Sequence, residues 1–217
     1  MGGEEGPEAE ALAEEALREF LESVLPRLRQ VAEETRRFLY FIAWLNTFAE
    51  SRGLGRVVVT GGFAVEVYTA RVHRTMDVDI IAEGRAAEFL ERFLTRFSER
   101  IGRGFLPSYD VLSLKSVDIV SSVYTRRREP TVLEVEGLRV YLDPVEDLVA
   151  TYLAGWKFWG STEDRDKALW LLAAWLDRLD RRYLEELCRE HGVADKLEEL
   201  LEILESLARH RGAYRHS

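Results

Sequence analysis

Two aspartates one residue apart, Asp77 and Asp79 in the run Met76-Asp77-Val78-Asp79-Ile80-Ile81-Ala82, are the residues of this chain best suited to chemistry. The run is rich in Val and Ile and predicts a strand. Alternation along a strand sends both carboxylates to one face and Val78 and Ile80 to the other. Carboxylates side by side repel, and one takes a proton unless a cation lies between them. Hard oxygen donors, few in number and completed by phosphate oxygens and water, suit Mg²⁺ or Mn²⁺. Upstream, Gly61-Gly62 ends the β-branched run Arg56 to Thr60 and opens a short helical pattern, Phe63 to Ala70. At such a junction the missing side chains let a ligand approach the backbone, and the first helical N–H groups point at an anion. Downstream, Asp118 interrupts the apolar Val117-Asp118-Ile119-Val120, and a buried carboxylate is costly unless paired or metal-bound. Singly, each feature has an ordinary explanation: solvated strand acids, a tight turn, a paired acid. In this order the three form a pattern.

The combination resembles the polymerase-β-like nucleotidyltransferase superfamily, whose signature is a Gly-Gly or Gly-Ser turn after the first strand, an Asp-x-Asp on the next, and a third carboxylate on a later strand. Here these are Gly61-Gly62, Asp77-Val78-Asp79 and Asp118, with 15 residues from Gly62 to Asp77 and 39 from Asp79 to Asp118. The segments Thr60 to Glu66 and Arg74 to Asp79 look like the prokaryotic branch that includes abortive-infection (AbiE-type) toxins. The resemblance covers residues 54 to 170 or so. It implies a nucleotidyltransferase fold and Mg²⁺- or Mn²⁺-dependent transfer of a nucleoside monophosphate from a nucleoside triphosphate to a hydroxyl of RNA, protein or a small molecule. Gly61 and Gly62 would cradle the triphosphate, Asp77 and Asp79 would hold one or two ions, and Asp118 would complete the ion that activates the acceptor.

A cation near the phosphates is expected of a transfer governed by positioning and electrostatics. Arg74, just before the metal strand, and Lys157, on a later helix where related enzymes often carry a basic residue, are the two expected to bind substrate. A loop ion pair is the alternative for Arg74. A stem snorkelling among Trp156, Phe158 and Trp159 is the alternative for Lys157. Related proteins also show a Lys-Asp pair and a second Asp where this chain reads Glu163-Asp164-Arg165-Asp166-Lys167, which leaves the roles of Asp164 and Asp166 open. The rival from another class is a catalytically inactive nucleotidyltransferase-fold module for binding or toxin–antitoxin pairing, against which the three retained carboxylates weigh. A DxD glycosyltransferase leaves Gly61-Gly62 and Asp118 unexplained.

The elements that must position these residues divide the chain in three: N-terminal helices over 1–53, a catalytic α/β section over 54–142 and a helical section over 143–217. Leu12, Ala16, Phe20, Val24 and Leu25 recur at helical spacing until Pro26, which predicts a break or kink. A second helix is expected from Leu28 through Phe48, ending near Ser51 to Gly55, and, beyond the short Phe63 to Ala70 pattern, another from Arg85 to Arg100 with Phe89, Leu90, Phe93, Leu94 and Phe97 inward. Val111 to Ser122 predicts one or two strands, and Glu136-Gly137 the turn of a hairpin between Val132–Val135 and Leu138–Leu142. Asp143-Pro144 reads as an N-cap and first helical residue, Gly160 as a helix end, and Ser161 with Asp164 as a capping box. Further helices are expected near 181–190 and 194–209, a bundle against the sheet. The expected class is therefore α/β (α+β), with a mixed sheet between flanking helices.

Composition bounds the rest. The 217 residues carry 30 Lys+Arg against 39 Asp+Glu, a net charge of −9, with 47% hydrophobic residues and a single Cys. Residues 1–51, 52–142 and 143–217 carry nets of −6, +2 and −5. The acidity lies in the flanks, which excludes a basic nucleic-acid coat but leaves a local site for a polyphosphate or a discrete RNA or protein. Cys188 predicts helix packing in a reducing, cytoplasmic setting. No signal-peptide pattern opens the sequence, and the longest apolar run, Phe38 to Leu45, is far short of a membrane span, so no membrane partner is expected. A homo-oligomer is compatible with this composition. Four scattered histidines lack zinc-site spacing, the tryptophans of the C-terminal section read as core, and Arg126-Arg127-Arg128 reads as a solvated basic loop.

Overall fold

The computed structural model describes residues 5–213. It comprises two compact units, one of residues up to Val67 with Arg74–Asp143, the other of Tyr68–His73 with residues from Pro144 on.

In the first unit α1 (Glu5–Glu19) continues through a π-helical turn (Phe20–Val24) into α2 (Leu25–Leu28). Pro26 is expected to break or kink this helix, and the helix does lose its regularity there: a π-helical turn, widened by the Leu25 N–H bonding to the Phe20 carbonyl, immediately precedes it, and α2 ends two residues beyond it. The Glu33 carboxylate accepts from the Thr35 and Arg36 N–H groups and starts α3 (Glu34–Ser51).

Seven strands follow: β1 (Val57–Thr60), β2 (Asp77–Ala82), β3 (Ser98–Ile101), β4 (Gly104–Pro107), β5 (Ser116–Ser121), β6 (Thr131–Val135) and β7 (Leu138–Leu142), in the order β3-β4-β5-β2-β1-β7-β6. β1 runs parallel to β7 and β2 parallel to β5, while the other pairs are antiparallel, so the sheet is mixed as expected. Glu136 and Gly137, both at positive φ, close the expected β6–β7 hairpin. α4 (Gly61–Tyr68) leaves β1 directly from the glycines.

One helix is shorter than its apolar period suggests. α5 (Ala86–Thr95) ends before Phe97, and residues 98–107, read in part as its continuation, form the β3–β4 hairpin around Gly102. Phe97 stays buried because it stacks on Phe20 (5.1 Å) and meets Phe93 (4.9 Å), so the apolar periodicity outlasts the helix. Val57, Val59, Val78, Ile80 and Val117 are fully buried, whereas the opposite face carries Thr60, Asp79 and Asp118 beside a small cluster of Val58, Ile81 and Tyr141 capped by Tyr124.

The second unit is helical, with α6 (Val145–Trp159), α7 (Thr162–Trp175), α8 (Arg181–Glu190) and α9 (Ala194–Ala213). Ser161 accepts from the Asp164 N–H, as the capping box predicts. Pro144, not Asp143, stands at the N-cap position of α6, without a side-chain cap, and the Asp143 carboxylate is engaged elsewhere. Cys188 is buried, which pushes its thiol up to about 12, an inert packing residue. The tryptophans do not form the expected core: Trp159 is 81% exposed, and Trp156, Trp170 and Trp175 are half-buried.

An ion pair ties the first unit together. Lys115, 1% exposed, lies 3.0 Å from the fully buried Glu66 and 3.1 Å from Glu34, and it donates to the Thr75 carbonyl. Glu66 also accepts from the Thr35 hydroxyl and from the Thr75 N–H at 3.0 Å. Removing one member of such a pair leaves a buried charge without compensation. Lys115→Met is therefore expected to lower the unfolding free energy by about 3–5 kcal/mol, read as a fall in the urea midpoint.

Candidate active site

Strand register brings the three aspartates together. Asp79 pairs with Thr60 on one side and with Asp118 on the other, and Asp77 pairs with Ser116. Asp77, Asp79 and Asp118 thus share one sheet face on adjacent parallel strands, with the end of β1 and the glycine turn beside them. Asp77 is exposed, and its Oδ1 accepts from the Ser116 hydroxyl at 2.7 Å. Asp79 is half-buried against the turn. Gly61 has φ +61°, and a Cβ there would come within 2.1 Å of Asp79 Oδ2, so the backbone needs glycine for both its left-handed conformation and its closeness to the carboxylate.

Asp118 is pressed against a second glycine, Gly104 on β4, where a Cβ would lie 1.7 Å from Asp118 Oδ1. That oxygen is buried and has no hydrogen-bond partner. Burial first, and then the Asp77 charge, raise the Asp118 carboxyl above its ordinary 3.8, with Arg103 opposing the shift. Among the described residues no group of three or more His, Cys, Asp or Glu side chains is arranged to hold a metal by itself. The donors fit an ion that shares its shell with substrate and water: hard oxygens, one of them buried without a donor, on a common face. Mg²⁺ is bound in this way, by one or two carboxylates plus phosphate oxygens and waters.

The network behind the turn holds β1 in place. The Thr60 hydroxyl donates to the fully buried Asp143, which also accepts from Arg126 at 2.9 Å, while the Asp143 N–H donates to the Val59 carbonyl at 2.8 Å. Arg126, the first of the basic triplet, is thus partly sheltered and paired instead of solvated.

No family model matches the sequence, and no curated protein does. Among solved structures, an antigenic nucleotidyltransferase-like protein from Paracoccidioides brasiliensis is similar at 13% identity, over 79% of this chain and 93% of that one, with a TM-score of 0.50. The fold is that of a nucleotidyltransferase. Two structures of the antibiotic-resistance factor ANT(2'')-Ia are also similar: one in solution at 18% identity, over 82% of this chain and 96% of that one (TM-score 0.40), and a crystal structure with adenylyl-2''-tobramycin at 17%, over 71% and 96% (TM-score 0.47).

Five of the expected site residues, Gly61, Gly62, Asp77, Asp79 and Asp118, lie around one sheet face of the first unit. Arg74 belongs to the same unit, and its guanidinium pairs with Glu34 at 2.7 Å. Lys157 belongs to the other unit, where its ammonium binds Asp195 at 2.6 Å and the Gly192 carbonyl at 2.8 Å. Asp164 packs against Gly155 of α6, and Asp166 pairs with Arg165. Sequence reasoning passed over Lys115 and the Asp143–Arg126 pair. A lone lysine directly before an apolar strand was the available signal for the first; the second joins residues 17 apart through tertiary packing and has none.

The Asp118 shift has a pH signature. A carboxyl raised in the folded state weakens the fold as it ionises: the penalty is absent below the ordinary value, 3.8, and grows as pH rises through the raised one. Asp118→Asn removes the charge in the same shape. The variant is expected to be more stable than the parent at pH 7, with the difference closing by about pH 3.5, measured by urea denaturation across that range.

Proposed function

We propose that this chain is a divalent-metal-dependent nucleotidyltransferase that moves a nucleoside monophosphate from a nucleoside triphosphate to a hydroxyl acceptor. The observation carrying this reading is the buried, unpartnered Oδ1 of Asp118 on the strand next to Asp79, on the face shared with Asp77 and the glycine turn. A buried anionic oxygen with no donor is a standing cost unless a cation meets it.

Each residue then has a task. The backbone at Gly61-Gly62, heading α4, binds phosphate oxygens through N–H groups at a helix start. Asp77 and Asp79 hold the ion, with the Ser116 hydroxyl and the Gly61 backbone limiting how far their carboxylates can turn. Mg²⁺ or Mn²⁺, when bound, screens charge on the polyphosphate and lowers the pKa of the attacking hydroxyl. Asp118 would complete the shell of that ion through its buried Oδ1; the acceptor oxygen bonds to the α-phosphorus as the bond to the leaving pyrophosphate breaks, and the hydroxyl proton leaves to solvent. Asp143 and Arg126 keep Thr60, and so the turn, in register. Placement within the AbiE-like branch rests on the segments Thr60 to Glu66 and Arg74 to Asp79.

Calorimetric titration with ATP, GTP, CTP and UTP in the presence of Mg²⁺ tests the first step. At least one is expected to bind, and Asp77→Ala is expected to weaken it at least about 100-fold, since even residues behind metal ligands cost 10–100-fold. No binding, or binding indifferent to Asp77, would favour the inactive-module reading. Transfer of α-labelled phosphate into a cell extract, lost in Asp118→Asn, tests the chemistry.

A further inference from the structure

The strand order gives the site two sides. Gly61-Gly62 follows β1, Asp79 is on β2, Asp118 on β5, and the β3–β4 turn lies beyond it. Gly104 opens β4 and packs its backbone against the Asp118 carboxylate. The residue before it is Arg103, exposed in the turn. Three strand spacings, about 14 Å, separate β4 from β1, so Arg103 stands on the flank opposite the glycine turn, with the carboxylates between.

Among the described residues no hydrogen bond or ion pair engages Arg103. This distinguishes it from Arg56, Arg74, Arg92, Arg96 and Arg126, each bound to a carboxylate. Arg103 is one residue from the Gly104 backbone that touches the Asp118 carboxylate, and it makes no hydrogen bond to that group: Asp118 Oδ1 keeps no donor. If the triphosphate occupies the glycine side, the acceptor enters on the Arg103 side. A fork of N–H donors there suits a phosphate oxyanion and repels an ammonium.

We propose that the acceptor hydroxyl is carried by a phosphate-bearing compound, which Arg103 recognises from the β3–β4 turn on the Asp118 side of the site. This inference rests on the nucleotidyl-transfer reading. It favours a nucleotide 3′-end or a phosphorylated small molecule over a polycationic amino sugar.

The test measures binding of three probes to the intact chain with Mg²⁺ and a non-hydrolysable form of the nucleoside triphosphate that binds: a short oligoribonucleotide with a free 3′-hydroxyl, ribose 5-phosphate, and tobramycin. At least one phosphate-bearing probe is expected to bind, Arg103→Gln to weaken it by about tenfold, the loss of one charge-assisted hydrogen-bonded contact, and Arg103→Lys to recover part of that loss. The triphosphate affinity is expected to be unchanged in both variants. Binding of the oligoribonucleotide alone identifies a polynucleotide end; binding of ribose 5-phosphate identifies a small phosphorylated acceptor. Phosphate probes that bind the parent and Arg103→Gln equally, or do not bind at all, or tobramycin as the one probe bound, overturn the inference while triphosphate binding leaves the nucleotidyl-transfer reading standing. A parent protein that binds no nucleoside triphosphate overturns that reading and this inference with it.

Discussion

A lysine with 1% of its surface exposed, held between Glu66 and Glu34, joins four segments of the first unit through one buried charge. Its stem comes from the residue immediately before β5, its first partner from α4, its second from the start of α3, and its ammonium also takes the Thr75 carbonyl two residues before Asp77. Each segment that delivers a site residue is therefore tied to one charge: α4 heads back to the glycine turn, Thr75 leads into the Asp-x-Asp strand, and Lys115 leads into the strand of Asp118. A buried ion pair contributes little net stability compared with an apolar replacement. What it does supply is geometry, because a buried ammonium tolerates few arrangements of its oxygens. The Thr35 hydroxyl and the Thr75 N–H also donate to Glu66, so both of its oxygens are engaged.

Against that rigid background the carboxylates are set by backbone contact. Asp79 lies against Gly61 and Asp118 against Gly104, at separations that any side chain at either glycine would violate. The two glycines serve different ends: Gly61 also needs its positive φ, whereas Gly104 is an ordinary strand residue whose lack of a side chain alone admits the carboxylate. Asp118 Oδ1 is left buried without a hydrogen-bond partner, and burial raises the proton affinity of that carboxyl.

Charge is distributed to match. The net of −9 belongs to the helical flanks, while residues 52–142 carry +2 despite including all three aspartates. Most arginines in the first unit are spent on carboxylates, Arg126 on Asp143 and Arg56 on Glu83 and Glu129 among them. The uncommitted charge of Arg103 is a local feature within a balanced section.

Much of this was legible in the residues themselves. The two-residue period of Asp77 to Ala82 is enough to place both carboxylates on one face, and Gly61-Gly62 after a β-branched run marks the turn, since both depend on local geometry. The β6–β7 hairpin and the Ser161 cap were legible for the same reason. Where local signals failed, a long-range partner overrode them: Phe97 kept the helical apolar period but its chain turned into a strand, and Asp143 had the form of an N-cap but was claimed by Thr60 and Arg126. That Asp118 should lie beside Asp79, and that Gly104 and Arg103 should border it, depends on which strands pair and in what register. Side-chain period carries no information about that. By itself the sequence determined the chemistry available to each segment; the tertiary structure decided which segments meet, because pairing between distant strands is selected by the packing of the whole sheet.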